Sequence, residues 1–270
     1  MTTSKKPYDF SGSAANHYDE YMGPMYFEPY AIEVSRRVDA SSVQVALELA
    51  AGTGRVTRHL RRVLSPGAKL IASDISPDML MIAKEKLGET NIDWQTIDAQ
   101  DLPFEANSID LVVCSFGLMF MADKLKACSE VHRVLRAGGT FITTTWDKLE
   151  TNGVSYVYRT IAEKYLPQSL PESFNLPTSM HDESVLRELL QEAGFSPVVV
   201  EKQKKDSQCR SAEDAAEALI QAGAISSVIM SLKPALISEI KSLLAKELGK
   251  RYGKAPMVAP MSAIIAHAWK

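Results

Sequence analysis

The chain has 270 residues, 46% hydrophobic and 23% charged, with 30 Lys and Arg against 33 Asp and Glu for a formal net charge of −3. That balance suits a globular protein long enough to bury a core without disulfide or metal. It supplies no overall positive field for nucleic acid or anionic lipid, and no apolar run reaches the roughly 18–20 residues of a membrane span. The N-terminus lacks the apolar stretch of a secretory signal, and Cys114, Cys128 and Cys209 have no metal-type or CxxC spacing. A cytoplasmic, reduced and metal-free protein is therefore expected.

In chain order, the first feature is aromatic. Of nine Tyr and eight Phe, seven fall within the first 30 residues: Tyr8, Phe10, Tyr18, Tyr21, Tyr26, Phe27 and Tyr30. From 43 to 146, apolar β-type runs alternate with amphipathic helical ones. Strands are predicted at 43–49, 69–73, 92–97, 109–115 and 140–146. Helices are predicted from 55 to 64, from Pro77 behind a Ser76 cap, and over 122–135, where Gly138-Gly139 ends the segment. Beyond 146 the pattern predicts a helix at 151–165, a proline-punctuated loop at 167–177, and a helix at 182–193 capped by Asp182. A sixth strand follows at 197–202, a solvated charged turn at 201–206, helices at 211–222 and 234–252, and a seventh strand at 261–269.

Such alternation predicts an α/β protein with a doubly wound, mostly parallel sheet and helices on both faces. In these sheets ligands bind beyond the carboxyl ends of the strands, where strand order reverses. The residues there are informative. Glu48-Leu-Ala-Ala-Gly52-Thr-Gly54 follows the first strand, and its glycines let backbone pass close beneath a ligand. Asp74, at the end of the second strand, can accept hydrogen bonds from both hydroxyls of a ribose. This much fits NAD, FAD or S-adenosylmethionine. Three features discriminate. Thr57 stands where a dinucleotide fingerprint wants Gly or Ala. Glu48 would repel a pyrophosphate yet suits an ammonium and a sulfonium. Asp98, after the third strand, could accept from an adenine amine.

The segments Glu48–Gly54, Asp74-Ile-Ser-Pro-Asp-Met-Leu80, Asp98-Ala-Gln-Asp-Leu-Pro-Phe104, Ser115-Phe-Gly-Leu118 and Arg133-Val-Leu-Arg-Ala-Gly-Gly139 together resemble the core of class I S-adenosylmethionine-dependent methyltransferases. Among these they resemble the ubiquinone/menaquinone C-methyltransferase branch. The resemblance implies a Rossmann-like fold whose last strand is antiparallel, with a helical cap, S-adenosylmethionine as cofactor and S-adenosylhomocysteine as product. It places Gly52, Gly54, Ala50 and Ala51 under the methionine part, and Asp74 on the ribose between Ile75 and Met79. Asp98 and Ala99 would read the adenine, while Cys114 and Ser115 approach the transferring methyl. The chain departs from that branch at Met119-Phe120, where the branch carries Arg-Asn, and lacks a DPPY-type motif after the fourth strand.

A single domain is expected, with 1–42 as an N-terminal lid, 43–146 as cofactor core, and 147–270 as variable substrate elements with the last two strands. Tyr18 and Tyr21, three apart, are expected on one face of a short helix lining the cofactor. His17 and His181 are the candidate general bases. The expected reaction is methyl transfer to a small-molecule acceptor, without nucleic acid, membrane or metal. The alternatives are a non-catalytic cofactor-binding or partner-regulating protein, a methyltransferase of protein or nucleic acid, and a nicotinamide oxidoreductase.

Overall fold

A computed structural model describes residues 13–88, 91–166, 170–222 and 225–270. Tyr8 and Phe10, the first twelve residues of the expected lid, and residues 167–169 of the expected loop lie outside them. Seven strands form one sheet in the order β3-β2-β1-β4-β5-β7-β6. They are β1 (Val45–Leu49), β2 (Lys69–Asp74), β3 (Ile92–Thr96), β4 (Ile109–Ser115), β5 (Leu135–Trp146), β6 (Val198–Cys209) and β7 (Met257–Trp269). All pairings from β3 through to β5 are parallel, whereas β7 runs antiparallel to both β5 and β6.

Side chains alternate across this sheet because successive Cβ atoms point to opposite faces. Ala46, Leu111 and Val113 join one apolar cluster with Val56 and Leu60, while Leu47, Val112 and Cys114 join the other with Cys128 and Val131. The first face is covered by α2 (Glu28–Arg36), α3 (Arg55–Val63) and α4 (Pro77–Leu87), the second by α5 (Lys124–Val134), α6 (Gly153–Tyr165) and α7 (Glu183–Glu192). Local chemistry sets several helix starts. Ser76 Oγ accepts from the Met79 N–H with Pro77 at the first helical position, and Asp123 and Asp182 accept in the same way ahead of α5 and α7. Each such cap contributes about 1 kcal/mol. The insertion between β6 and β7 holds α8 (Ala212–Ala222), α9 (Ser226–Met230) and α10 (Pro234–Tyr252).

Four sequence expectations need correction. Residues 201–206 are not a turn: β6 continues to Cys209 and pairs with β7 along its whole length. Its polar side chains are accommodated because Lys205 reaches Glu33 at 2.7 Å, Arg37 donates to Gln203 Oε1 at 3.1 Å, and Tyr30 Oη donates to the Gln203 carbonyl at 2.9 Å. Long stems can bury their methylenes while their charges find partners. Gly138-Gly139 does not precede the fifth strand but lies inside it, opposite a register shift between Ile109 and Leu111. The described part of the 167–177 loop contains a 3-10 helix, Glu172–Thr178. Finally, the N-terminal segment is α1 (Ser13–His17) running into a π-helix, Tyr18–Phe27, with Pro24 inside it.

Candidate active site

Strand order reverses between β1 and β4: β1 leads on to β2 at one side, β4 to β5 at the other. A crevice therefore opens beyond Leu49 and Ser115, and the loops leaving these strands furnish its walls. Glu48 pairs across to Val113 and Ala72, which sets it deep in the sheet. It is 2% exposed, and neither its Oε2 nor the buried Thr57 Oγ1 has a hydrogen-bond partner. Burial pushes the Glu48 carboxyl up to about 8, with the Asp74 charge adding to the rise. A buried carboxylate without a partner is costly, so this position is suited to a cationic group supplied from outside the chain.

The turn after β1 bends sharply. Ala50 and Gly52 have φ of 54° and 55°, and a Cβ built at Gly52 meets nothing within 4 Å. Gly52 thus combines a left-handed backbone with open space before it, the form of a ligand cradle. Its N–H donates to Asp74 Oδ2 at 2.8 Å, while the Ser76 N–H donates to Asp74 Oδ1 at 2.8 Å. Asp74 is thereby fixed between the turn and the start of α4. Ala51 donates to the Ser73 carbonyl at 2.9 Å. Gly54 is left-handed at the N-cap of α3. Beside Asp74, Met79 is buried and Ile75 is 53% exposed. Asp98 is exposed after β3 and accepts from the Gln100 N–H at 2.9 Å, with Ala99 buried next to it.

On the β4 side, burial pushes the Cys114 thiol up to about 12, against the pull of the Gly117 and Leu118 N–H groups. It is a packing group, as small buried thiols usually are. Ser115 Oγ is buried without a partner. Phe116 is left-handed with φ 55°, and a Cβ at Gly117 would fall 2.4 Å from the Ala50 Cβ and 3.0 Å from Cys114 Sγ. Only glycine lets the loops of β1 and β4 meet there.

The N-terminal segment lies against this crevice. Tyr18 packs on Ala15, Met79 and Ile82. Burial, then the Asp74 charge, pushes its phenol up. Tyr21 packs instead with the larger cluster, its ring 6.0 Å from His17. The two tyrosines do not share a face as expected, because a helix with i→i+5 bonding rotates less per residue than an α-helix. His17 lies in the field of Glu217 on α8, and His181 is exposed with Nδ1 2.9 Å from the Thr178 carbonyl.

Sequence reasoning missed an aromatic cluster over the ends of β4 and β5. Phe116 stacks on Trp146 with centroids 4.1 Å apart, and Phe27 meets them at 5.4 and 5.9 Å. Tyr30 stands edge-on to both at 5.4 and 5.6 Å, and Tyr26 meets Trp146 at 5.8 Å. The signal was present in two halves: an aromatic N-terminus, and Phe116 and Trp146 immediately after strands. Trp146 is steadied by Asp147, whose carboxylate takes Lys202 Nζ at 3.0 Å and Ser262 Oγ at 2.9 Å. Among the described residues no group of three or more His, Cys, Asp and Glu is placed to hold a metal, and no helix is long and apolar enough to cross a membrane.

Residues 47–143 match the family described as Methyltransferase domain. The chain is 30% identical over 207 residues to the ubiquinone/menaquinone biosynthesis C-methyltransferase of Escherichia coli O1:K1 / APEC, covering 69% of this chain and 81% of that protein. The fold resembles phosphoethanolamine N-methyltransferase 2 of Haemonchus contortus in complex with S-adenosyl-L-methionine, with a TM-score of 0.60 at 18% identity. That alignment covers 97% of this chain but only 57% of the other. A SAM-dependent methyltransferase from Thermotoga maritima matches with a TM-score of 0.56 at 17% identity, covering 96% and 97% of the two chains.

Proposed function

This chain belongs to the class I S-adenosylmethionine-dependent methyltransferases, and we propose that it methylates a small, largely apolar acceptor held against the Phe27–Phe116–Trp146 wall. The cofactor supplies a methyl carbon made electrophilic by a sulfonium. An acceptor nucleophile takes that carbon, the S–C electron pair returns to sulfur, and any proton leaves the acceptor. What remains to the protein is alignment at near-attack distance and exclusion of water.

The observation that carries the cofactor assignment is Glu48: a buried carboxylate with an unpartnered oxygen, next to a glycine turn with open space before it. An amino-acid ammonium would satisfy it. In the same reading Asp74 takes the ribose hydroxyls, Ile75 and Met79 flank the adenine, and Asp98 and Ala99 face its edge. Ala50, Ala51, Gly52 and Gly54 hold the methionine backbone, with Ser115 and Cys114 towards the methyl. Tyr18 closes over the ribose and Tyr21 lies on the acceptor side. His17 or His181 would serve as general base for an acceptor that is not already ionised.

For the acceptor, the half-buried Phe27 is backed by the buried rings of Phe116 and Trp146, and the net charge of −3 provides no field for a polyanion. The E. coli relative is named for ubiquinone and menaquinone biosynthesis. Met119 and Phe120 replace a polar pair of that branch, which favours an acceptor other than its quinone precursor. Calorimetry with S-adenosylmethionine and S-adenosylhomocysteine on the wild type and Asp74→Ala tests the cofactor site, and wild-type protein that binds neither would sink it. A panel of phenols, amines and activated carbon acids, read by mass spectrometry for a gain of one methyl, then tests the acceptor class.

A further inference from the structure

The segment 18–27 is not built to hold its own shape. The ten-residue π-helix sits inside one unbroken helical run from 13 to 36, and π-helical bonding is rarely sustained beyond a single turn without outside support. The π-helix also contains Pro24, which has no N–H to give. Its position must come from outside, and the polar ties converge on Asp19. Asp19 Oδ1 accepts from Thr53 Oγ1 at 2.6 Å and from Lys86 Nζ at 2.6 Å. The Asp19 carbonyl accepts from Arg55 Nη2 at 2.6 Å. Thr53 belongs to the glycine turn, Arg55 opens α3, and Lys86 lies in the last turn of α4. The fit against α3 is close, since a Cβ at Gly23 would fall 2.2 Å from Arg55 Nε.

We propose that Asp19 is a positioning residue for the cofactor: by tying segment 18–27 to the glycine turn and to α4, it seats Tyr18 across the crevice and sets how long the cofactor and its demethylated product stay bound. This rests on the cofactor reading above. Tyr18, the adjacent residue, packs on Met79 and Ile82 of α4, so a tie between Asp19 and Lys86 fixes both contacts at once. The tie is also releasable. The Asp19 side chain is 16% exposed and that of Lys86 35%, so water and salt reach the pair, and opening it breaks charge-assisted hydrogen bonds without unfolding the sheet.

The test is the dissociation rate of S-adenosylhomocysteine from full-length protein, compared among wild type, Asp19→Asn, Lys86→Met and the double variant. Asp19→Asn should speed dissociation about 10-fold or more, the effect of losing charge-assisted hydrogen bonds, while the association rate changes less than about threefold. Lys86→Met should add little in the Asp19→Asn background, since the two share one interaction. Raising NaCl from 50 to 500 mM should speed wild-type dissociation and leave Asp19→Asn flat. In ligand-free protein, amide exchange of residues 18–27 should quicken in Asp19→Asn while β1 and β4 stay protected, which separates positioning from a general loss of fold. Unchanged dissociation and exchange in Asp19→Asn would overturn the tie alone. Loss of protection throughout the sheet would overturn positioning in favour of a plain stability role. A wild type that binds no S-adenosylhomocysteine would overturn this inference together with the cofactor reading.

Discussion

The two walls of the crevice are built on different principles. On the core side, from Val45 to Trp146, the groups that matter stand within a few residues of a strand end, so the sheet places them. Asp74 is held at 2.8 Å by two backbone N–H groups. On the cap side, from Ser13 to Tyr30, there is no sheet to hang from. Tyr18, Phe27 and Asp19 are positioned by other side chains: Met79 and Ile82, Phe116 and Trp146, Thr53, Arg55 and Lys86. The core offers a seat set by backbone, and the cap supplies contacts set by side chains, some of them buried as deeply as Met25 and Tyr30.

Variants on the two sides should therefore fail differently. The largest effect is expected from Asp74→Ala, which removes the acceptor proposed for the ribose. Affinity for S-adenosylhomocysteine should fall more than about 100-fold by calorimetry, since hydrogen bonds to charged groups contribute about 1.5–3 kcal/mol each. Trp146→Leu should instead raise the acceptor KM about 10-fold, as expected of a lost aromatic wall, and leave cofactor affinity within about threefold. Equal loss of both would break the distinction between seat and cap.

Glu48→Gln sharpens the core side through pH. The unfolded carboxyl titrates near 4.5 and the folded one near 8, so over that window the folded state holds the extra proton. The Glu48 contribution to stability then falls as pH rises from about 4.5 to about 8 and levels off above. Urea denaturation of ligand-free protein should show this slope reduced in Glu48→Gln. Binding of a cationic cofactor at pH 7 should expel that proton, seen as a buffer-dependent calorimetric enthalpy that the variant lacks. The smallest effect concerns Cys114: with its thiol pushed up to about 12, it should resist iodoacetamide at pH 8 in folded protein, as read by peptide mass spectrometry.

This contrast also explains what could be read from sequence. The β4 range was legible to the residue, and β1, β2 and β3 within two, because an apolar run bounded by turn residues specifies a buried strand. Gly52 and Asp74 were legible because their place follows from the strands. The π-helix was not: nothing in Tyr18–Phe27 distinguishes i→i+5 from i→i+4 bonding, and that difference parts Tyr18 from Tyr21. Nor was the meeting of Phe27 and Tyr30 with Phe116 and Trp146, a contact between residues far apart in sequence that no local pattern encodes. The extension of β6 through 201–206 was hidden because its charges are matched by partners distant in sequence, among them Glu33, Arg37 and Asp147.

That extension bears on how the molecule behaves in company. β6 ends the sheet, and where its backbone is not already capped by Tyr30 and Arg187 such an edge invites a neighbour to add a strand. A second copy approaching about a two-fold axis would lie antiparallel. If the axis passed between Gln203 and Lys204, Lys202 would stand opposite Lys205 and Glu201 opposite Asp206. If it passed through Gln203, Lys202 would stand opposite Lys204. Like charges directly opposite destabilise a strand pair, so the charge order of Glu201-Lys-Gln-Lys-Lys-Asp206 disfavours the first register, while in the second Glu201 would stand opposite Lys205 and offset the lysines. The residues that disguise this stretch as a loop also choose among the registers in which its edge could pair with its own kind.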